Sequence, residues 1–158
     1  MSAPFQPQRA LGEFLRSGRA AETSVAVLGD IVLDRYLTGS TRRVSREAPI
    51  PVVVCDTRAA ADNLGGAGNV AANLRGIGCR VWLAGMVGDD AFGQKVRGHV
   101  QSFRIEPRLW PRRTPTLVKT RLICGGQQLA RFDFEDVEPL PPEGVENALA
   151  FLSKAIDA

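Results

Sequence analysis

Histidine occurs once in this chain, at His99, and the three cysteines, Cys55, Cys79 and Cys124, show no metal-ligand spacing. Metal-centred and disulfide-framework folds are thereby disfavoured, and unpaired thiols suit a reducing, cytoplasmic compartment. A solitary His99 outside any triad pattern reads as a structural or surface residue. The N-terminal stretch Met1 to Ala20 has no continuous apolar run, and none elsewhere is long enough to span a bilayer, so neither a signal peptide nor a membrane helix is expected. The formal net charge of +3 is too small to argue for nucleic acid. Basic residues do concentrate between Arg104 and Arg131, enough to serve one anionic small molecule. What is present is 158 residues with 44% hydrophobic content, sufficient for a domain with a buried core.

The densest local signal is the run Gly65-Gly66-Ala67-Gly68-Asn69. Glycines here allow positive φ and close approach of backbone N–H groups to a ligand, and the small residues that follow can start a helix. Asn69 at the mouth of that helix offers both a donor and an acceptor to a sugar hydroxyl. The same pattern also fits a tight turn feeding an amphipathic helix with Val70, Leu74 and Ile77 on one face. Upstream, Ser24 to Leu28 reads as a buried parallel strand ended by Gly29-Asp30. Asp30 and Asp34 follow in the next loop, where a carboxylate can accept from polyol hydroxyls or simply pair with Arg35.

Residues 41–56 carry two prolines and the run Val52-Val53-Val54, which predicts a protruding β-ribbon that closes over a ligand, pairs with a second subunit, or is an ordinary edge hairpin. Arg58 to Asn63 is Ala-rich and polar, with no β-branched run. Arg80 to Gly88 predicts a second buried strand, Asp89 to Phe103 a helix with acids at its positive end, and Ile105 to Trp110 a third strand. Leu117 to Ile123 and Gln127 to Phe134 alternate on either side of Gly125-Gly126, predicting a hairpin. In regular register it gathers Lys119, Arg121 and Arg131 into a phosphate clamp, unless these are merely solvated strand faces. A linker over Pro139 to Glu143 and a helix from Gly144 to Ala158, carrying Val145, Leu149, Leu152 and Ile156, close the sequence.

Taken together these segments resemble the ribokinase-like sugar kinases. The likeness rests on the Gly-Gly-x-x-Asn stretch and on the strand ending in Gly88-Asp89-Asp90 with Gly93 after it. Within that superfamily Gly29 to Tyr36, Ser45-Arg46-Glu47-Ala48-Pro49-Ile50-Pro51-Val52 and Pro115 to Glu135 are most similar to heptose 7-phosphate kinases. The resemblance implies an α/β fold, a Rossmann-type parallel sheet with a β-ribbon lid. It implies residues 1–23 as an arm and short helix, and 24–158 as the N-terminal part of the kinase domain with lid segments near 41–56 and 115–134. It implies that Asp34 and Asn69 bind sugar hydroxyls, that Gly65 and Gly66 give close backbone approach, and that Lys119, Arg121, Gln127 and Arg131 hold the substrate's phosphate. ATP and Mg²⁺ would be the cofactors, and the lid a homodimer contact. The family's Gly-Ala-Gly-Asp segment, which supplies its general base, and its Asn/Glu pair linked to Mg²⁺ do not occur in this sequence. A catalytic half is therefore expected in the same or a second polypeptide, and a non-catalytic phosphosugar-binding or dimerising module is the alternative. Gly66 to Ala71 also fits G-x-G-x-x-A, a dinucleotide fingerprint, but without the required buried strand before it.

Overall fold

The computed structural model describes residues 7–136 and 139–156 as an α/β fold with two sheets. Residues 1–6 of the expected arm, and the last two of the expected C-terminal helix, lie outside the described residues. In chain order the elements are α1 (Pro7–Arg16), β1 (Ser24–Leu28), β2 (Ile31–Val44), β3 (Pro51–Cys55), β4 (Ala61–Gly66), α2 (Ala67–Gly76), β5 (Arg80–Gly88), α3 (Ala91–Ser102), β6 (Glu106–Arg112), β7 (Leu117–Cys124), β8 (Gln127–Phe134) and α4 (Pro142–Ile156). The parallel sheet runs β1-β5-β6, and the second sheet runs β3-β2-β7-β8 with β4 also paired to β2.

The core lies where the two sheets meet α2 and α3. Val81, Leu83 and Val87 of β5 pack there with Ile31 and Leu33 of β2, Val118 of β7, and Val96 and Val100 of α3. These positions alternate along each strand, as burial of one face requires. Gly85 is obligatory in this arrangement, because a Cβ there would stand 2.4 Å from the Gly29 carbonyl oxygen.

Several expectations are corrected. Asp34 is not in a loop: β2 runs unbroken for 14 residues from Ile31 into the ribbon. It is held by β7 on one side and by β4 and β3 on the other. The alternative of an Asp34–Arg35 pair does not arise, because successive strand residues point to opposite faces. Arg35 instead lies over Phe92 and beside Asp62. The stretch before the glycine run is a strand, β4, recruited by its antiparallel pairing to β2 in spite of poor β-propensity. Gly65 therefore sits in a strand and Gly68 in a helix, and of Gly65, Gly66 and Gly68 only Gly66 has positive φ, at 55°. β1 is half-buried at the edge of its sheet instead of fully buried.

Both amphipathic helices are rotated from the expected face. α2 buries Gly68 and Ala71, with Leu74 against the core, and leaves Val70 and Ile77 exposed, since small residues let the helix approach Leu64 closely. α4 buries Ala148 and Phe151, while Val145, Leu149 and Leu152 face outward. The hairpin expectation holds, with Gly125 and Gly126 at φ 59° and 79° and Arg121 directly opposite Arg131.

One carboxylate joins the two sheets. Asp90 caps α3 by accepting from the Gly93 N–H at 2.7 Å, and also accepts from the Thr116 N–H at 2.7 Å and hydroxyl at 3.0 Å, just before β7. The Gly88 N–H at the end of β5 donates to the same Thr116 oxygen at 3.1 Å. Burial alone would raise the Asp90 pKa, but the backbone donors of Thr116 and Gly93, the Thr116 hydroxyl and the Phe92 N–H together hold it below its ordinary 3.8. Nearby, the buried Arg112 donates to the Thr114 hydroxyl and to the Asp136 carbonyl, tying the end of β6 to the foot of the hairpin.

Thr116→Val is expected to cost about 1–3 kcal/mol in urea unfolding, since it strands the Gly88 N–H and one Asp90 contact. A carboxyl depressed on folding contributes stability that is present above its ordinary 3.8 and lost as pH falls below it. Asp90→Asn is expected to remove that part of the acid-side decline in an unfolding series across this pH range.

Candidate functional site

The site is built on the face of the second sheet that points away from α2 and α3. Directly paired residues share a face, so register sets its composition. One row reads Asn63 (β4), Asp34 (β2), Lys119 (β7) and Asp133 (β8), and the next holds Tyr36, Arg121 and Arg131. The opposite face carries Leu33, Leu64 and Val118 into the core.

Gly65 makes room for Asp34. A Cβ at position 65 would lie 2.8 Å from Asp34 Oδ2 and 2.9 Å from its Cγ, so no larger residue fits without moving the carboxylate. Gly66 has a different duty: a Cβ there would stand 2.4 Å from the Asp30 carbonyl, which accepts from the Ala67 N–H at 2.9 Å as α2 begins. Its positive φ and that clash both demand glycine.

The cations on this face are paired with carboxylates. Arg121 Nη1 donates to Asp34 Oδ1 at 2.7 Å, with both side chains about one-fifth exposed. This hydrogen bond raises the Arg121 pKa above its ordinary value against the opposing effect of burial. The guanidinium also lies 5.2 Å from the centre of the Tyr36 ring. Lys119, although in register with Asp34, turns to Asp133 at 3.7 Å and Glu135 at 3.5 Å. Arg131 Nε donates to Asp133 Oδ1 at 2.8 Å. The array thus combines hydroxyl acceptors with cations that can exchange one oxyanion for another.

Of the residues singled out in the sequence, Asp34, Gly65, Lys119, Arg121 and Arg131 are brought together here. Asn69 lies on the exposed first turn of α2 and accepts from the Asn73 amide at 3.3 Å. Gln127 is not gathered in. Its partner Cys124 is level with Gly39, five residues beyond Asp34 and about 16 Å along the strand. Sequence reasoning did not find Thr116 or Arg112, whose partners are distant in the chain, nor Asp62, which Lys95 and Arg35 approach from α3 and β2.

A cleft of about 310 Å³ between α4 and the outer face of β5 and β6 is lined by Trp82, Trp110, Arg108 and Phe151. Its one carboxylate, Glu106, is spent on the Trp82 indole N–H at 2.6 Å. Among the described residues no group of three or more His, Cys, Asp or Glu side chains stands together to hold a metal ion, and no residue of this chain is assigned to ATP or Mg²⁺. The dinucleotide reading also fails on geometry. The strand before Gly66 is antiparallel to β2 and belongs to the second sheet, not to a parallel β-α-β unit.

Comparison with known proteins agrees with this architecture. The chain is 46% identical over 113 residues to the bifunctional protein HldE of Shewanella denitrificans, covering 71% of this chain and 23% of that protein. It is 41% identical over 136 residues to HldE of Shewanella sediminis, covering 85% and 27%. The chain thus spans about a quarter of the length of these curated relatives. Among solved structures, ribokinase from Giardia lamblia matches with TM-score 0.57 at 20% identity, over 84% of this chain and 40% of that one. The phosphofructokinase-2 of Escherichia coli, in complex with fructose-6-phosphate, matches with TM-score 0.55 at 15% identity, over 86% and 41%. Both likenesses establish a ribokinase-like fold. The pfkB family carbohydrate kinase pattern matches residues 22–155, nearly the whole chain, and the protein belongs to that family.

Proposed function

We propose that this chain is the acceptor-binding half of an ATP-dependent heptose 7-phosphate kinase, which transfers a phosphoryl group to the anomeric hydroxyl in the making of ADP-heptose for lipopolysaccharide. The observation that carries this reading is the Asp34–Arg121 face, where hydroxyl acceptors and a set of exchangeable cations share one surface. Asp34, Gly65, Gly66 and Asn69 would hold the sugar, and Lys119, Arg121 and Arg131 its phosphate, while Gln127 stands outside this set at the far end of the hairpin. What these residues contribute is positioning, which is a large share of what a kinase does for its acceptor. The heptose is chosen on the motifs Gly29 to Tyr36, Ser45 to Val52 and Pro115 to Glu135.

ATP and Mg²⁺, bound outside these residues, would supply and neutralise the transferred phosphoryl group. A complementary kinase half suits two unpartnered features: the free edge of β1, which carries no proline, and the outward stripe Val145, Leu149 and Leu152 on α4. The other edge of the parallel sheet, β6, is blunted by Pro107 and Pro111. A homodimer through the ribbon suits the exposed Val44, Ile50 and Val54, together with Phe132 and Phe134 on β8. Among the described residues no helix is long and apolar enough to cross a membrane, and a cytoplasmic setting fits the free thiols. A phosphosugar-binding or dimerising module built on the same Asp34–Arg121 face is the second reading.

Joined to, or mixed with, the catalytic half of such a kinase, the chain is expected to support ATP-dependent phosphorylation of heptose 7-phosphate at its anomeric position, followed by phosphate-transfer assay. An assembled enzyme that ignores heptose 7-phosphate but phosphorylates another sugar would refute the substrate. Binding by calorimetry in an assembly that never turns over would favour the module. Gly65→Ala is expected to weaken sugar-phosphate binding by about tenfold or more, roughly 1.4 kcal/mol, by displacing Asp34.

A further inference from the structure

We propose that the cleft between α4 and the outer face of β5 and β6 is a second ligand site, and that it takes a purine nucleoside monophosphate. It stands on the other sheet from Asp34 and Arg121, and the proposal is independent of the sugar-phosphate reading.

Register builds the floor of the cleft. Trp82 is paired with Glu106 and Met86 with Trp110, so both indoles stand on the face of the parallel sheet opposite to core-facing Val81, Leu83 and Val87. The two indoles are rooted four residues apart in register, about 13 Å along the strands, with Arg108 midway between them. Asn147 and Lys154 line the cleft from α4, seven residues and thus two turns apart on one helical face. The bond from the Trp82 indole N–H to Glu106 Oε2 at 2.6 Å fixes that ring as a stacking surface. Arg108 and Lys154 pair with no carboxylate among the described residues, and the Arg108 guanidinium donates to the Pro107 carbonyl at 2.9 Å. Two unpaired cations against one occupied carboxylate leave the cleft positive. Each part of a mononucleotide then meets its complement. The purine has a π-face for an indole, and its edge sets donors beside acceptors, which a side-chain amide such as that of Asn147 matches. The phosphate suits a guanidinium and an ammonium together. The volume of about 310 Å³ lies at the small end of ligand sites, which run from roughly 300 to 1,000 Å³, and suits one nucleotide better than two. An aliphatic sugar phosphate would leave both indoles unused, and a neutral aromatic would leave both cations unmet.

Trp82 and Trp110 are the only tryptophans in the sequence, so the indole fluorescence of the full chain reads this cleft alone. Titration with AMP is expected to change it saturably, while adenosine, ribose 5-phosphate and phenyl phosphate each bind at least about tenfold more weakly. Arg108→Gln and Lys154→Gln, both at exposed positions, should bring AMP down toward adenosine and leave adenosine itself unchanged. Asn147→Leu should bring AMP down toward phenyl phosphate. Asp34→Asn, on the other sheet, should leave the AMP titration unmoved. The proposal is overturned if AMP leaves the fluorescence unchanged, if adenosine or ribose 5-phosphate binds as tightly as AMP, or if AMP keeps its affinity when Arg108 and Lys154 are replaced together. Phenyl phosphate bound as tightly as AMP would reject the purine, and loss of AMP in Asp34→Asn would move the nucleotide to the other sheet.

Discussion

The Asp90 carboxylate is the constraint on which the two-sheet arrangement depends. Its partners come from the start of α3, from the residue that opens β7 and, through the Thr116 hydroxyl, from the end of β5. These segments belong to different sheets, so a group that satisfies all of them sets where the ribbon sheet stands relative to the parallel one. The packing around it is tight enough to exclude a side chain: a Cβ at Gly93 would lie 2.1 Å from the Gly88 carbonyl, and one at Gly88 would lie 2.6 Å from the Thr116 N–H. Burial disfavours a charge at this place, and the hydrogen bonds outweigh it.

From that junction β7 runs alongside β2, and the site follows from their register. Lys119 is placed level with Asp34, and Arg121 one step further along, level with Tyr36. A slip of one residue would send Lys119 and Arg121 to the helix-packed face and Val118 to solvent. The same pairing that buries Val118 therefore presents the cations. At the same end of the hairpin Arg112 secures the second strand by holding the Asp136 carbonyl.

The parallel sheet was legible in the sequence because β5 follows an apolar run closed by Gly88 and Asp89, and the hairpin because Gly125-Gly126 favours a tight turn. β4 was not legible: Ala-Asp-Asn-Leu-Gly-Gly has no strand preference of its own and is a strand because β2 is beside it. The length of β2 was hidden for the same reason, and with it the fact that Asp34 and Arg35 point apart. The Asp34–Arg121 bond joins residues 87 apart, and local periodicity carries no information about such a pair. Helix faces were misjudged where large apolar residues were assumed to turn inward. In α2 close packing selected Gly68 and Ala71 instead, and in α4 the stripe of Val145, Leu149 and Leu152 was left outward.

The chain unites a family-typical α/β scaffold with a polar sheet face whose charges are balanced by one another. On the proposed function it is this face, and not the tryptophan-lined cleft under α4, that receives the sugar phosphate. Backbone amide shift mapping with heptose 7-phosphate on the isotopically labelled chain addresses it most directly. Perturbations are expected to concentrate at Asp34, Gly65, Lys119 and Arg121, with Trp82, Trp110 and Phe151 unmoved. Shifts confined to the cleft residues, or none at saturating ligand, would contradict it.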